Sequence, residues 1–259
     1  MQLPGRLDYL VDASIPEGSS AASVLFITYL SGIFDVVEAA VPGIYGLSFV
    51  DDIGWWADGT DEKAVADKLS AAATASIEWA TGNGVASDHG KSEAALFRRK
   101  KKVPMAEVTV VASHVPFNKM ATRWLGVWLD SQLMLRDHHA TRLKHGQKAM
   151  TRLQCLTGQM GLSPANCRKV MTACVQSFAM FGSELWWKGG HVQGTMGQTD
   201  ELQLLVNQKA RATTGCFKTT NLEALSMESS LRAATAQLEN RQRRFVIRLL
   251  SLPQGDQAR

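Results

Sequence analysis

The sequence predicts an α+β chain, in which short antiparallel strands alternate with helices and then give way to a nearly all-α region. Two observations carry that prediction. Short apolar, β-branched and aromatic runs bounded by Asp, Gly or Pro occur before residue 133 and not after it. Apolar residues recur at a helical period in one long segment before that point and in several after it. Residues 1–130 carry 11 Lys/Arg against 16 Asp/Glu and residues 131–259 carry 17 against 8, an asymmetry that suits a cation site beside a polyanion-binding surface or simply two solvated surfaces of opposite sign. At 259 residues, 45% apolar and 20% charged, the composition is globular rather than disordered or fibrous. That length suits one large or two ordinary domains, and a boundary near 130–133 divides it into 1–131 and 132–259.

The elements follow in chain order. Residues 14–20, SIPEGSS, are loop chemistry at a helix start. A helix is expected from Ser19 to Ala39, with Leu25, Tyr29, Ile33 and Val36 or Val37 on one face, and Pro42 and Gly43 end it. Two apolar runs, Ile44–Val50 and Ile53–Ala57, flank only Asp51 and Asp52. Strands around so short a connection make a β-hairpin, and Asp tolerates the positive φ of such a turn. Residues 61–81 form the clearest helix, capped by Asp58 or Thr60, with a stripe of Val65, Leu69, Ala72, Ser76 and Trp79. Strands are expected at 93–97, 108–113 and 123–129, and helices at 134–158, 164–182, 199–214 and 229–251.

Several classes are excluded. MQLPGRLDYL lacks a basic region followed by an apolar one, so no signal peptide is expected. The most apolar stretch, Val24 to Val50, is interrupted by Asp35, Glu38 and Pro42, which argues against a membrane span. Cys155, Cys167, Cys174 and Cys216 form no zinc or disulfide pattern, and Cys167 and Cys174, seven apart, are expected on one buried helix face. An intracellular setting, nucleus or cytoplasm, fits this cysteine usage.

The stretch FVDD, residues 49–52, places two like charges in an apolar neighbourhood. That arrangement costs free energy unless water, a partner or a cation compensates. A hairpin tip presenting two carboxylates can hold divalent ions, which activate a nucleophile and stabilise a leaving oxygen in phosphoryl transfer. Asp is also an ordinary turn residue, and a solvated turn is the competing reading.

Four segments resemble the reverse transcriptases of non-LTR (LINE-like) retrotransposons in order and spacing. FVDD looks like the aromatic-x-Asp-Asp hairpin of their palm. SIPEGSSAASVLF, residues 14–26, resembles the Pro-x-Gly loop and helix upstream of it. HGKSEAALF, residues 89–97, is similar to the next palm segment, and TRWLGVWLD, residues 122–130, to the Leu-Gly hairpin called the primer grip. The resemblance implies a partial palm over 1–131 and a helical thumb over 132–259.

That resemblance implies roles. Asp51 and Asp52 are the expected catalytic carboxylates and ligands of two magnesium ions, with Asp51 binding both and Asp52 the outer ligand. Pro16, Gly18, Ser19 and Phe49 are expected beside template and nucleotide. Lys91 is the expected proton donor or charge stabiliser at the leaving pyrophosphate. Trp124, Leu125 and Gly126 are expected to position the primer. The partners implied are an RNA template and a DNA primer, with no membrane. The family's first catalytic aspartate and its fingers have no counterpart here, so the expected function is an RNA-directed DNA polymerase fragment, inactive without that missing N-terminal segment. The alternative is a catalytically dead nucleic-acid-binding remnant.

The basic half supplies further candidates. Lys144, Lys148 and Arg152 fall on one helical face, opposite Leu143, Met150 and Leu153, and Arg241, Arg244 and Arg248 repeat the spacing. Both sets are expected to meet the nucleic-acid backbone, because phosphates dominate such affinity. RRKKK, residues 98–102, reads first as an exposed loop, with a localisation patch or nucleic-acid contact as alternatives. His138, His139 and His145 are a poor metal set, since no carboxylate is placed with them.

Overall fold

The computed structural model describes residues 21–99, 106–111, 113–118, 121–154, 161–190 and 196–252. They divide into two compact units, one formed by 21–96 with 106–118 and the other by 97–99 with the described part of 121–252. The expected mixed α+β character is observed.

In the first unit, the expected helix over 19–39 is two segments, α1 (Ala22–Leu30) and α2 (Gly32–Ala40), interrupted at Ser31. Ser31 keeps helical angles, and its hydroxyl donates to the Thr28 carbonyl. Leu25 and Tyr29, expected to share one face with Ile33 and Val36 or Val37, are exposed, whereas Leu30, Ile33 and Val37 are buried. Ala22–Ala40 is long and apolar enough, by length and composition, to cross a membrane. It carries Asp35 and Glu38, and Ile33 and Val37 pack in a core with Ala72 of the next helix.

That next helix, α3 (Glu62–Gly82), is built almost as its sequence reads. Its cap is Asp61, whose carboxylate accepts from the Lys63 amide, rather than Asp58 or Thr60. α3 has two working faces. Ala72, Leu69, Ala75 and Trp79 meet α2 and the strands β1 (Tyr45–Phe49) and β2 (Asp52–Trp56). Ala66, Ala73 and Ile77 meet β3 (Glu107–Val110) and β4 (Ser113–Pro116). Small alanines let both layers approach closely. The Ser70 hydroxyl accepts from the Thr109 amide across the second contact.

The strands pair as separate antiparallel hairpins, β1 with β2 and β3 with β4, and not as one continuous sheet. The run 108–113, expected as one strand, is divided by a turn at Val111, whose φ is +56°. The expected strand at 93–97 reduces to one parallel bridge, Ala94 to Phe117; its buried Ala94 and half-buried Leu96 join the core without a strand partner.

The second unit begins with the hairpin β5 (Thr122–Trp124) and β6 (Val127–Leu129), followed by α4 (Arg136–Leu153). Asp130 joins them: one of its carboxylate oxygens accepts from the Gln132 and Met134 amides and the other from Leu135. The helix expected at 164–182 is α5 (Pro164–Met171), a π-turn over Thr172–Gln176, and the short α6 (Ser177–Ala179). The wider π-turn explains why Cys174 leaves the core. Buried positions run Cys167, Met171, Val175, Ala179 at steps of four, which a wholly α-helical segment cannot keep on one face.

After α7 (Ser183–Trp186) and α8 (Met196–Thr214) comes α9 (Leu222–Ser229), which is not among the expected helices; a turn at Ser230 with φ +52° follows, and the expected helix at 229–251 is α10 (Ala234–Leu250). Asn221 caps α9 by accepting from the Glu223 amide. Leu143, Met150, Met171, Leu202, Leu205 and Leu238 form the heart of this helical core.

Candidate functional site

The β1–β2 register sets the first candidate site. Phe49 faces Asp52, so the two-residue turn is Val50–Asp51, one position earlier than the sequence suggests. The positive φ falls on Val50, at +57°, and not on an aspartate. A β-branched residue in that region is strained by about 1–2 kcal/mol. Such strain persists where the surroundings dictate the turn.

Alternation along the hairpin sorts its side chains. Gly46, Ser48, Ile53 and Trp55 turn toward α2 and α3, and Trp55 meets Phe34 with ring centres 5.4 Å apart. Tyr45, Leu47, Phe49 and Trp56 form an exposed strip, on the face that also carries Asp52. Within it, Tyr45 and Trp56 stack at 4.6 Å and 27°. Asp51 and Asp52 are both exposed. They are hard oxygen ligands of the kind a magnesium ion takes while keeping several waters. Among the described residues, no third His, Cys, Asp or Glu joins them as a metal-binding group. The pair therefore suits one hydrated ion, and a second ion needs a further carboxylate.

Lys91 closes a short 3₁₀ turn over His89–Lys91, and its ammonium lies 2.8 Å from the Asp88 carboxylate. The hydrogen bond and charge of Asp88 raise its pKa above the ordinary lysine value. That direction makes it a weaker acid and a firmer positive charge. Pro16, Gly18 and Ser19 lie outside the described residues.

Trp124, Leu125 and Gly126 sit in the second unit, at the β5–β6 turn. Leu125 and Gly126 both have positive φ, +46° and +79°, as a two-residue turn matched to strand twist requires. The Arg142 guanidinium donates to the Gly126 carbonyl and lies 4.3 Å over the Phe181 ring. Val127 and Leu129 pack against the helical core. This hairpin is thus held rigidly by α4 and the segment around Phe181.

Lys144, Lys148 and Arg152 are exposed along α4, while Leu143, Gly146 and Met150 are buried opposite. Of the neighbouring histidines, His145 alone is exposed. Buried His138 accepts from the Trp128 amide at 3.3 Å and donates to the Phe181 carbonyl at 2.8 Å. Buried His139 lies 2.9 Å from a Glu201 carboxylate oxygen. Burial lowers the pKa of both rings. These are structural residues, tying β6, α4 and α8 together.

The α10 arginines have unequal surroundings. Arg241 is half-buried and donates to the Met180 carbonyl and to Glu184. Arg244 and Arg248 are exposed and, with Arg241, line a recess of about 570 Å³ that Arg168 and Arg232 complete. Arg168, Arg232 and the buried Lys209 behind the recess gave no signal in the sequence. They come from three distant segments that only the fold gathers.

No protein-family model, no curated protein and no solved structure matches this chain.

Proposed function

We propose that the chain is a palm-and-thumb portion of a non-LTR reverse transcriptase, an RNA-directed DNA polymerase acting on an RNA template and a DNA primer inside the cell, in nucleus or cytoplasm. The observation that carries the reading is the FVDD hairpin, with Asp51 at a strained tip and Asp52 beside it on an exposed aromatic face. Asp51, assisted by Asp52, would hold magnesium, which when bound polarises the primer hydroxyl and the leaving phosphate oxygens. Phe49 and the Tyr45–Trp56 stack would offer ring faces to bases, contacts that every base can make. Trp124, Leu125 and Gly126 would seat the primer end. Lys144, Lys148 and Arg152 would hold backbone phosphates.

Two carboxylates are short of a two-ion centre, so nucleotidyl transfer is proposed to require an added acidic segment. Primer extension on an RNA template, with the chain fused behind such a segment, tests this. Extension should depend on magnesium and fall at least a hundredfold in Asp51→Asn. Extension unchanged by that substitution would reject the assignment. The same shortage of carboxylates favours a second reading, nucleic-acid binding without catalysis. It predicts log-affinity for duplex falling linearly with log-salt and Asp51→Asn without effect; salt-independent affinity would exclude it.

A further inference from the structure

The recess in the helical unit has a chemistry that the hairpin does not explain. It lies between α5 with its π-turn, the α9–α10 turn and α10. Five arginines line it: Arg168, Arg232, Arg241, Arg244 and Arg248. Glu184, its one acidic lining residue, is paired with Arg241 at 3.4 Å. Arg168, Arg232, Arg244 and Arg248 form no ion pair among the described residues. Four unneutralised guanidiniums around one concavity repel one another, and an anion removes that repulsion.

Two buried polar atoms in the lining have no partner among the described residues. The Arg168 Nε is a donor without an acceptor. Gln237 is 9% exposed; its amide nitrogen donates to the Arg232 carbonyl, while its Oε1 accepts from nothing. Buried groups left in that state cost free energy, so each is a demand for a ligand atom of the opposite kind. The first wants an anionic oxygen and the second wants a hydroxyl or amine hydrogen.

The wall facing α8 adds a further cation. Lys209 is almost wholly buried and donates to Thr172 Oγ1 at 2.6 Å and Gln176 Oε1 at 3.0 Å, both residues of the recess lining. An ammonium placed behind the arginines deepens the positive potential at the floor. Phe245 supplies an apolar ring on the α10 side.

We propose that this recess binds a compact organic polyphosphate, carrying at least two phosphate groups and a free hydroxyl or amino group. Guanidiniums grip phosphate oxygens through paired N–H donors, and several converging on one volume select charge density rather than length. The volume is that of a small-molecule site. A duplex backbone wants cations in a line along an open surface. Here they converge from three segments upon a floor that also requires a hydrogen donor. The proposal does not rest on the polymerase reading.

The test is calorimetric titration of the whole chain at 0.15 M salt with inorganic tripolyphosphate and, separately, with ATP. Both should bind saturably at one site. The exposed-residue double variant Arg232→Gln/Arg248→Gln should weaken both at least a hundredfold, about tenfold per arginine, with an unchanged circular dichroism spectrum. Gln237→Leu should weaken ATP several-fold more than tripolyphosphate, because only ATP carries hydroxyl and amino hydrogens. Lys209 gives an independent readout, since its titration should move to higher pH when tripolyphosphate binds. Absence of saturable binding by either probe, or binding indifferent to the double variant, would overturn the proposal. So would displacement of tripolyphosphate by a short DNA duplex, which would assign the arginines to a nucleic-acid backbone.

Discussion

Lys209→Met isolates the energetic consequence of placing an ammonium inside the helical core. Burial, and then the charge of Arg168, lower the Lys209 pKa from 10.5 to about 8. That drop places about 3 kcal/mol of penalty on the charged form at pH 7. Methionine fills similar volume without charge and gives up the ammonium's hydrogen bonds to Thr172 and Gln176, each contributing about 1.5–3 kcal/mol. The lost bonds therefore match or exceed the relieved penalty at pH 7, and the variant should be no more stable than the parent there. Between pH 8 and 10.5 the unfolded chain binds the lysine proton and the folded chain does not, so the parent gains stability as pH rises. By pH 10 that gain is about 2–3 kcal/mol, and the variant should fall behind the parent by that much more than at pH 7. Guanidinium unfolding at pH 7 and pH 10, followed by tryptophan fluorescence to which Trp186 and Trp187 of the same core contribute, reads both values. A stability difference of the same sign and size at the two pH values would refute the reasoning.

Two further outcomes follow from the same unit. Gly182 has φ +67°, and a Cβ there would lie 2.8 Å from His138 Nε2, so Gly182→Ala should cost about 2–3 kcal/mol through strain and a disturbed hydrogen bond; a thermal melt within a degree of the parent would contradict this. The lowered pKa values of His138 and His139 mean that below pH 6.5 the unfolded chain takes up protons that the folded chain refuses. Stability should then fall with acidification, at up to about 1.4 kcal/mol per pH unit for each ring, whereas urea midpoints that stay flat from pH 7.5 to 5 would show that neither ring is buried as described.

What the sequence conveys depends on the range over which each signal acts. α3 is legible because composition and a 3.6-residue period act within its own length, although its cap is Asp61 and not Asp58 or Thr60. The β1–β2 hairpin is legible too, but its register is not. The apolar runs on either side of the aspartates permit two alignments, and packing of Ile53 and Trp55 against α2 and α3 selects the one that strains Val50. Helix breaks were harder to foresee. Ser31 and the π-turn after Met171 involve residues that a helix tolerates, so local preference offers no stop. Tertiary packing decides these breaks. His138 and His139 read as polar positions on a basic helix, yet they are buried because Trp128, Phe181 and Glu201 supply partners from elsewhere. The recess was invisible for the same reason, since Arg168, Arg232 and Gln237 share no spacing.

The proposed function requires the tip of the β1–β2 hairpin to hold a divalent cation through Asp51 and Asp52. Its most direct test is paramagnetic: manganese, standing in for magnesium, is titrated into ¹⁵N-labelled protein while the backbone amide signals are followed. Signals from Phe49 to Ile53 should broaden first, magnesium should reverse the effect, and Asp51→Asn should abolish it. Broadening that spares this turn, or that persists unchanged when both aspartates are replaced by asparagine, would contradict it.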